Sequence, residues 1–87
     1  MFYVYVLQSA KDGDFYIGCT NDLKTRFDKH SKGKVAATYK RRPFKLIFYE
    51  AFTNKHDAFA REKWLKTGWG HNQLHKILSN YIKNLGG

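Results

Sequence analysis

Two segments of this sequence put reactive side chains where apolar ones are expected. In DLKTRFDKHS, read as a helix from Asp22 to about Ser31, Leu23 and Phe27 lie about 40° apart on a 100° wheel and define the apolar stripe. His30 falls about 20° from Leu23 and Arg26 about 60° from it, so an imidazole and a guanidinium share the side that should face the core. The plain reading is that both sit at the stripe's edge, stems on the core and polar ends in water. A helix further along repeats the pattern. There Ala58, Phe59 and Leu65 mark an apolar arc, and Glu62 falls inside it. A carboxylate in that position needs a partner, because burying it bare is costly. A pair with Lys66 one turn on, a cross-helix pair with Arg26, and a metal-ligand role are all compatible with the spacing.

Other candidates carry weaker signals. Tyr3 and Tyr5 project from the same face of a strand, and Tyr16 on a neighbouring strand can lie near them. Taken alone, strand tyrosines pack. His71 and His75, four apart on a helix, lack a cysteine pair or carboxylate at zinc-site spacing and suit surface or capping roles. Lys40, Arg41 and Arg42, with Lys45 beyond Pro43, form a basic run beside Tyr39 and Phe44, suited to phosphate contact or to a solvated loop. No Walker loop, Rossmann fingerprint or Ser-His-Asp pattern is present.

The elements that must position these residues follow from pattern and punctuation. FYVYVLQS, rich in aromatic and β-branched residues, reads as a strand over residues 2 to 8, and Asp12-Gly13 as a hairpin turn. FYIGC is its antiparallel partner and runs into the first helix through capping-type Thr20 and Asn21. Residues 32 to 45 read as a long basic loop, and KLIFYEAF, 45 to 52, as a third strand. Thr53 or Asn54 caps a second helix that runs to Thr67, where Gly68 stops it, and Gly70 falls in the next turn. HNQLHKILSNYIKNL is a third helix with Leu74, Ile77, Leu78 and Tyr81 on one stripe. The fold class is therefore α+β: a three-stranded, mainly antiparallel sheet flanked by helices in the order ββαβαα. Residues 1–87 form a single domain, with a tail of about 84–87 expected to fray.

Composition narrows the partners. Sixteen Lys and Arg against seven Asp and Glu give a net charge of +9, which favours polyanions. No apolar run approaches the ~20 residues of a membrane span, and no signal-peptide pattern is visible. One cysteine, Cys19, excludes an internal disulfide and suits a reducing cytoplasm, where it reads as a small buried hydrophobe.

The paired motifs Tyr3-Val4-Tyr5 and Tyr16-Ile17-Gly18, followed by Arg26, His30 and Glu62, resemble the signature of the GIY-YIG nuclease superfamily, most closely small stand-alone bacterial GIY-YIG domain proteins. Excision-repair nucleases and phage homing endonucleases carry similar domains. Tyr3 stands where the first motif has glycine, and Thr25 where some members have lysine. The asparagine that many members place after the glutamate has only Asn72 and Asn80 as candidates. The resemblance implies an endonuclease cutting phosphodiester bonds, with DNA the expected nucleic acid. It implies Mg²⁺ or Mn²⁺ held by Glu62, Arg26 stabilising charge on the phosphate, Tyr5 or Tyr16 activating water, and His30 accepting a proton or holding a tyrosine. It also implies a possible protein partner supplying specificity. A nucleic-acid-binding module, or a subunit that cuts only with its partner, is the alternative.

Overall fold

A computed structural model describes residues 1–85. Its three strands, β1 (Phe2–Ser9), β2 (Phe15–Thr20) and β3 (Phe44–Phe52), form one antiparallel sheet in the order β2-β1-β3. The first strand is thus central and covered on both faces. Val4, Tyr5, Val6 and Leu7 are all buried, which is why FYVYVL reads as a nearly continuous apolar run. The hairpin joining β1 and β2 turns at Gly13, whose φ of 77° suits a residue without Cβ.

Alternation along β1 divides the chemistry between two faces. Val4 and Val6 point to the face covered by α2 (Lys55–Leu65) and α3 (Gly68–Ile77), where Ile17, Ala58, Leu65 and Leu74 complete the core. Tyr3, Tyr5 and Leu7 point to the other face, toward α1 (Leu23–Ser31). An irregularity between Val6 and Leu7 shifts the β1–β3 register, so that Val6 faces Phe48 and Leu7 faces Leu46.

Helix boundaries differ from the sequence reading in three places. The N-cap of α1 is Asp22, whose Oδ1 accepts from the Thr25 amide at 3.1 Å, while Thr20 Oγ1 supports the entry by accepting from the Asp22 amide. An aspartate at that position also complements the helix dipole, which Thr20 and Asn21 would not. The second helix gives way at Lys66, and Gly68 begins α3 rather than ending α2, since Thr67 Oγ1 caps the new helix by accepting from the Gly70 amide. Finally, the expected third helix is two: α3, then α4 (Ser79–Asn84), broken at the buried Leu78. The break turns α4 so that the Tyr81 hydroxyl reaches Gln8 Oε1 on β1. Within the basic loop, Tyr39–Arg41 form a short 3₁₀ turn. Of the tail expected to fray, Asn84 closes α4, while Gly86 and Gly87 lie outside the described residues. Among the described residues no helix is long and apolar enough to cross a membrane.

Candidate active site

The sole buried residue of α1 is His30, at 0% exposure; Leu23 and Phe27 are only half-buried. The helix therefore seats an imidazole, not a leucine, at its deepest point. Both ring nitrogens are satisfied there: Nε2 lies 2.9 Å from the Tyr5 hydroxyl and Nδ1 lies 2.8 Å from Thr38 Oγ1. Such satisfaction is what makes the burial tolerable, since an unpaired buried polar group costs about 1–3 kcal/mol.

Tyr5 reaches His30 by crossing β2. Its register partner there is Gly18, and a Cβ at Gly18 would stand 2.4 Å from both Cζ and Oη of the Tyr5 ring. Only glycine leaves that path open. Tyr16, also on this face, packs its half-buried ring edge-on to His30 with centroids 5.1 Å apart and lies 6.4 Å from Tyr5.

Charges converge on the Tyr5 phenol. Burial raises its pKa well above the ordinary tyrosine value; Tyr16 and Glu62 add to the rise, and Arg26 opposes it. Burial, followed by the Arg26 charge, holds the His30 imidazole below its ordinary 6.5, so the ring is neutral near pH 7. Arg26 itself is half-buried and makes no ion pair among the described residues, leaving its guanidinium available to an anion. It lines a cleft of about 200 Å³ at the β2 edge, together with Cys19, Thr20, Asn21, Lys55 and Phe59. A larger cleft of about 540 Å³ between α1 and β3 is walled mainly by Tyr3, Leu23, Phe27, Leu46 and Tyr49. None of the five residues singled out for chemistry lines it, so size does not mark the site here.

Glu62 approaches from the opposite face of the sheet, on α2. Its carboxylate accepts from Lys66 Nζ at 3.2 Å, the one-turn pair that the spacing allows, and its side chain keeps 23% exposure. The carboxylate also raises the thiol pKa of the half-buried Cys19, second to burial. Glu50, the other half-buried carboxylate of this region, is taken by Arg61 in a two-pronged pair. Among the described residues no three His, Cys, Asp or Glu side chains cluster as a metal cage. A single hard carboxylate nevertheless fits Mg²⁺, which commonly uses one or two protein carboxylates and takes its other ligands from phosphate and water.

The remaining candidates lie elsewhere. Arg41 grips Asp12 through Nε at 2.7 Å and Nη2 at 3.2 Å, holding the Asp12 carboxyl down at about 2. Arg42 Nε donates to the Tyr39 carbonyl, Lys40 Nζ lies over the exposed Tyr39 ring, and Lys45 Nζ over Tyr81. His71 and His75 are exposed and stack beside Phe15, their Nε2 atoms 3.1 Å apart. Asn72 and Asn80 are exposed on α3 and α4. Nothing in the sequence marks Thr38. A threonine in an aperiodic basic loop carries no signal until the fold brings it to His30.

The fold thus gathers Tyr5 and Tyr16 on a small antiparallel sheet, Arg26 and His30 on one helix and Glu62 on another. The chain belongs to the GIY-YIG catalytic domain family, whose model matches residues 1–73. That family is a nuclease superfamily, generally of endonucleases. Similar proteins include a UPF0213 protein encoded in the ldhD 5′ region of Pediococcus acidilactici, 41% identical over 98% of this chain and 84% of the relative. Another, from Pediococcus pentosaceus, is 46% identical over 93% and 85%. The solution NMR structure of a UPF0213 protein from Bacillus halodurans matches with a TM-score of 0.55 at 37% identity, covering 88% of this chain and 85% of that one.

Proposed function

We propose that this chain is a divalent-metal-dependent endonuclease that hydrolyses phosphodiester bonds in nucleic acid, DNA being the expected substrate. The observation that carries this reading is the buried Tyr5–His30 hydrogen bond lying within the fields of both Arg26 and Glu62. A phenol with a raised pKa is a poor free base, so Tyr5 acts as a relay. As its hydroxyl proton passes to the neutral His30 Nε2, the phenol oxygen takes a proton from the attacking water. The water oxygen bonds to phosphorus, the bond from phosphorus to the leaving ester oxygen breaks, and that oxygen takes its proton from solvent. Arg26, without an ion pair among the described residues and lining the cleft at the β2 edge, stabilises the charge that develops on the phosphate. Tyr16, half-buried beside Tyr5, orients the water from the outer side. Glu62 would hold the cation, taking its carboxylate from Lys66. The chemistry a bound cation supplies is charge neutralisation at the scissile phosphate and the leaving oxygen.

The Glu62–Lys66 pair also gives weight to a second reading, a nucleic-acid-binding module or partner-dependent subunit, because it satisfies the carboxylate without a metal. One experiment separates them. Labelled single-stranded, duplex, flapped and four-way junction DNA and an RNA are incubated with Mg²⁺ or Mn²⁺, against EDTA and a Glu62→Ala control. Metal-dependent cutting that falls by at least about 10²-fold in Glu62→Ala, with binding retained, is the expected result. Salt-sensitive binding with no cutting of any substrate would replace the nuclease reading by the second.

A further inference from the structure

The contact between His30 Nδ1 and Thr38 Oγ1 does more than fill a vacancy in the core. We propose that Thr38 is a positioning residue that fixes His30 in the tautomer carrying its proton on Nδ1, so that Nε2 is the lone pair facing the Tyr5 hydroxyl. Its place in catalysis rests on the function proposed above; the tautomer itself does not.

The argument is an accounting of protons. Three buried groups form a line, Tyr5 Oη to His30 Nε2 at 2.9 Å, His30 Nδ1 to Thr38 Oγ1 at 2.8 Å, and Thr38 Oγ1 to the Val35 carbonyl at 3.4 Å. If each donates toward Val35, every proton has an acceptor: the phenol gives to Nε2, Nδ1–H gives to Thr38, and the threonine hydroxyl gives to the carbonyl. Reversed, Nε2–H would point at the phenol oxygen, and before substrate brings in the attacking water the phenol proton, on a ring 1% exposed, would have no acceptor among the described residues. Buried donors are rarely left that way. The buried phenol sets the direction of the line; the Val35 carbonyl, already bonded by the Thr38 and Tyr39 amides, only receives the threonine proton at its far end.

Thr38 is itself held in place. It is fully buried, its amide donates to the Val35 carbonyl at 3.1 Å, and its carbonyl accepts from the Arg41 amide at 2.9 Å. The Arg41 carbonyl in turn accepts from the buried Ser9 Oγ at 2.6 Å, tying the turn to the end of β1. Facing His30 from the other elements are Tyr5 on β1, Tyr16 on β2 and the apolar Phe44 on β3, with Arg26 on its own helix. Among the described residues no carboxylate stands at Nδ1, and the neutral threonine oxygen takes the orienting place that an aspartate fills in hydrolytic triads.

Long-range ¹H–¹⁵N correlation NMR of the imidazole, recorded near neutral pH on the full chain, reads the tautomer directly. The wild type is expected to carry its proton on Nδ1. Thr38→Val keeps the shape but leaves either Nδ1–H or the phenol proton without an acceptor, so the single Nδ1–H pattern should give way to a mixture of the two tautomers. Thr38→Ser should restore the wild-type pattern. Cleavage by Thr38→Val is expected to fall by about 10–100-fold, less than when a charged orienting group is lost, and to recover in Thr38→Ser. A wild-type spectrum with the proton on Nε2, or a Thr38→Val spectrum unchanged from wild type, overturns the assignment. A wild type that cuts nothing overturns the proposed nuclease, and the spectrum still decides the tautomer.

Discussion

At Gly18 a single missing atom decides whether the site exists. The Tyr5 ring passes over this glycine to reach His30, and Cβ would meet its Cζ and Oη at 2.4 Å. Gly18→Ala should therefore push the phenol off the imidazole, destabilising the fold by about 1–3 kcal/mol as an overpacked core does. Chemical denaturation and a cleavage assay read the two effects; wild-type stability in the variant would mean that the ring has another resting place. A pH test belongs at the same scale. His30 titrates below 6.5 when folded, so as pH falls the unfolded chain binds its proton first. Stability from this group is present above pH 6.5, falls as pH drops below that value, and levels off once the folded imidazole is also protonated. Urea midpoints taken between pH 7.5 and about 5 should fall in the wild type and fall less in His30→Asn. Equal slopes would place the acid sensitivity elsewhere. Tyr5, Arg26, His30 and Glu62 were visible in the sequence because each breaks or completes a pattern. Thr38 breaks none, and the crossing of Tyr5 over Gly18 is a fact of register, which strand pattern alone does not set.

Elements move these residues into range and keep them there. The hairpin between β1 and β2 is clamped to the basic loop by the Arg41–Asp12 pair, by Lys11 Nζ on the Lys40 carbonyl, and by the Ala10 amide on the Pro43 carbonyl. Arg41 is thus engaged within the protein, a use that its place in a Lys-Arg-Arg run does not reveal. Asp12→Ala should leave global stability nearly unchanged, because exposed ion pairs contribute little, while loosening the turn that presents Thr38. Faster amide exchange at Thr38 and Arg41, with β1 amides unaffected, is the expected signature; uniform exchange across both regions would show that the clamp is redundant. The glycines near residue 70 teach the same lesson about elements. Gly68 and Gly70 read as a stop and a turn, yet both lie in the first turn of α3. Gly70 is there because a Cβ would stand 2.1 Å from the Trp64 carbonyl oxygen, at the junction where α3 folds against the end of α2. Close approach and chain reversal both call for glycine, and sequence does not distinguish them.

Across the whole molecule, the +9 charge can be divided between cations engaged by carboxylates and those open to a partner. Arg41, Arg61, Lys66 and Lys32 each pair with a carboxylate. Arg26 at the β2 edge, with Lys40, Arg42 and Lys45 in and beyond the loop, makes no such pair among the described residues. Lys40 and Lys45 also lie beside the rings of Tyr39 and Tyr81. Each cation that neutralises a duplex phosphate adds about 0.9 to the slope of log K against log salt concentration. If Lys40, Arg42 and Lys45 all make such contacts, replacing the three with alanine should flatten the slope for a duplex ligand by roughly 2–3 units and weaken binding at low salt. Arg41→Ala should change the slope far less, since its charge is already matched by Asp12. Binding isotherms of the Glu62→Ala background over a salt series, recorded in EDTA so that the proposed cutting would not deplete the ligand, measure both. A triple variant with the parental slope would remove the loop from the nucleic-acid path and leave the approach to the β2 edge to Arg26, Lys55 and their neighbours.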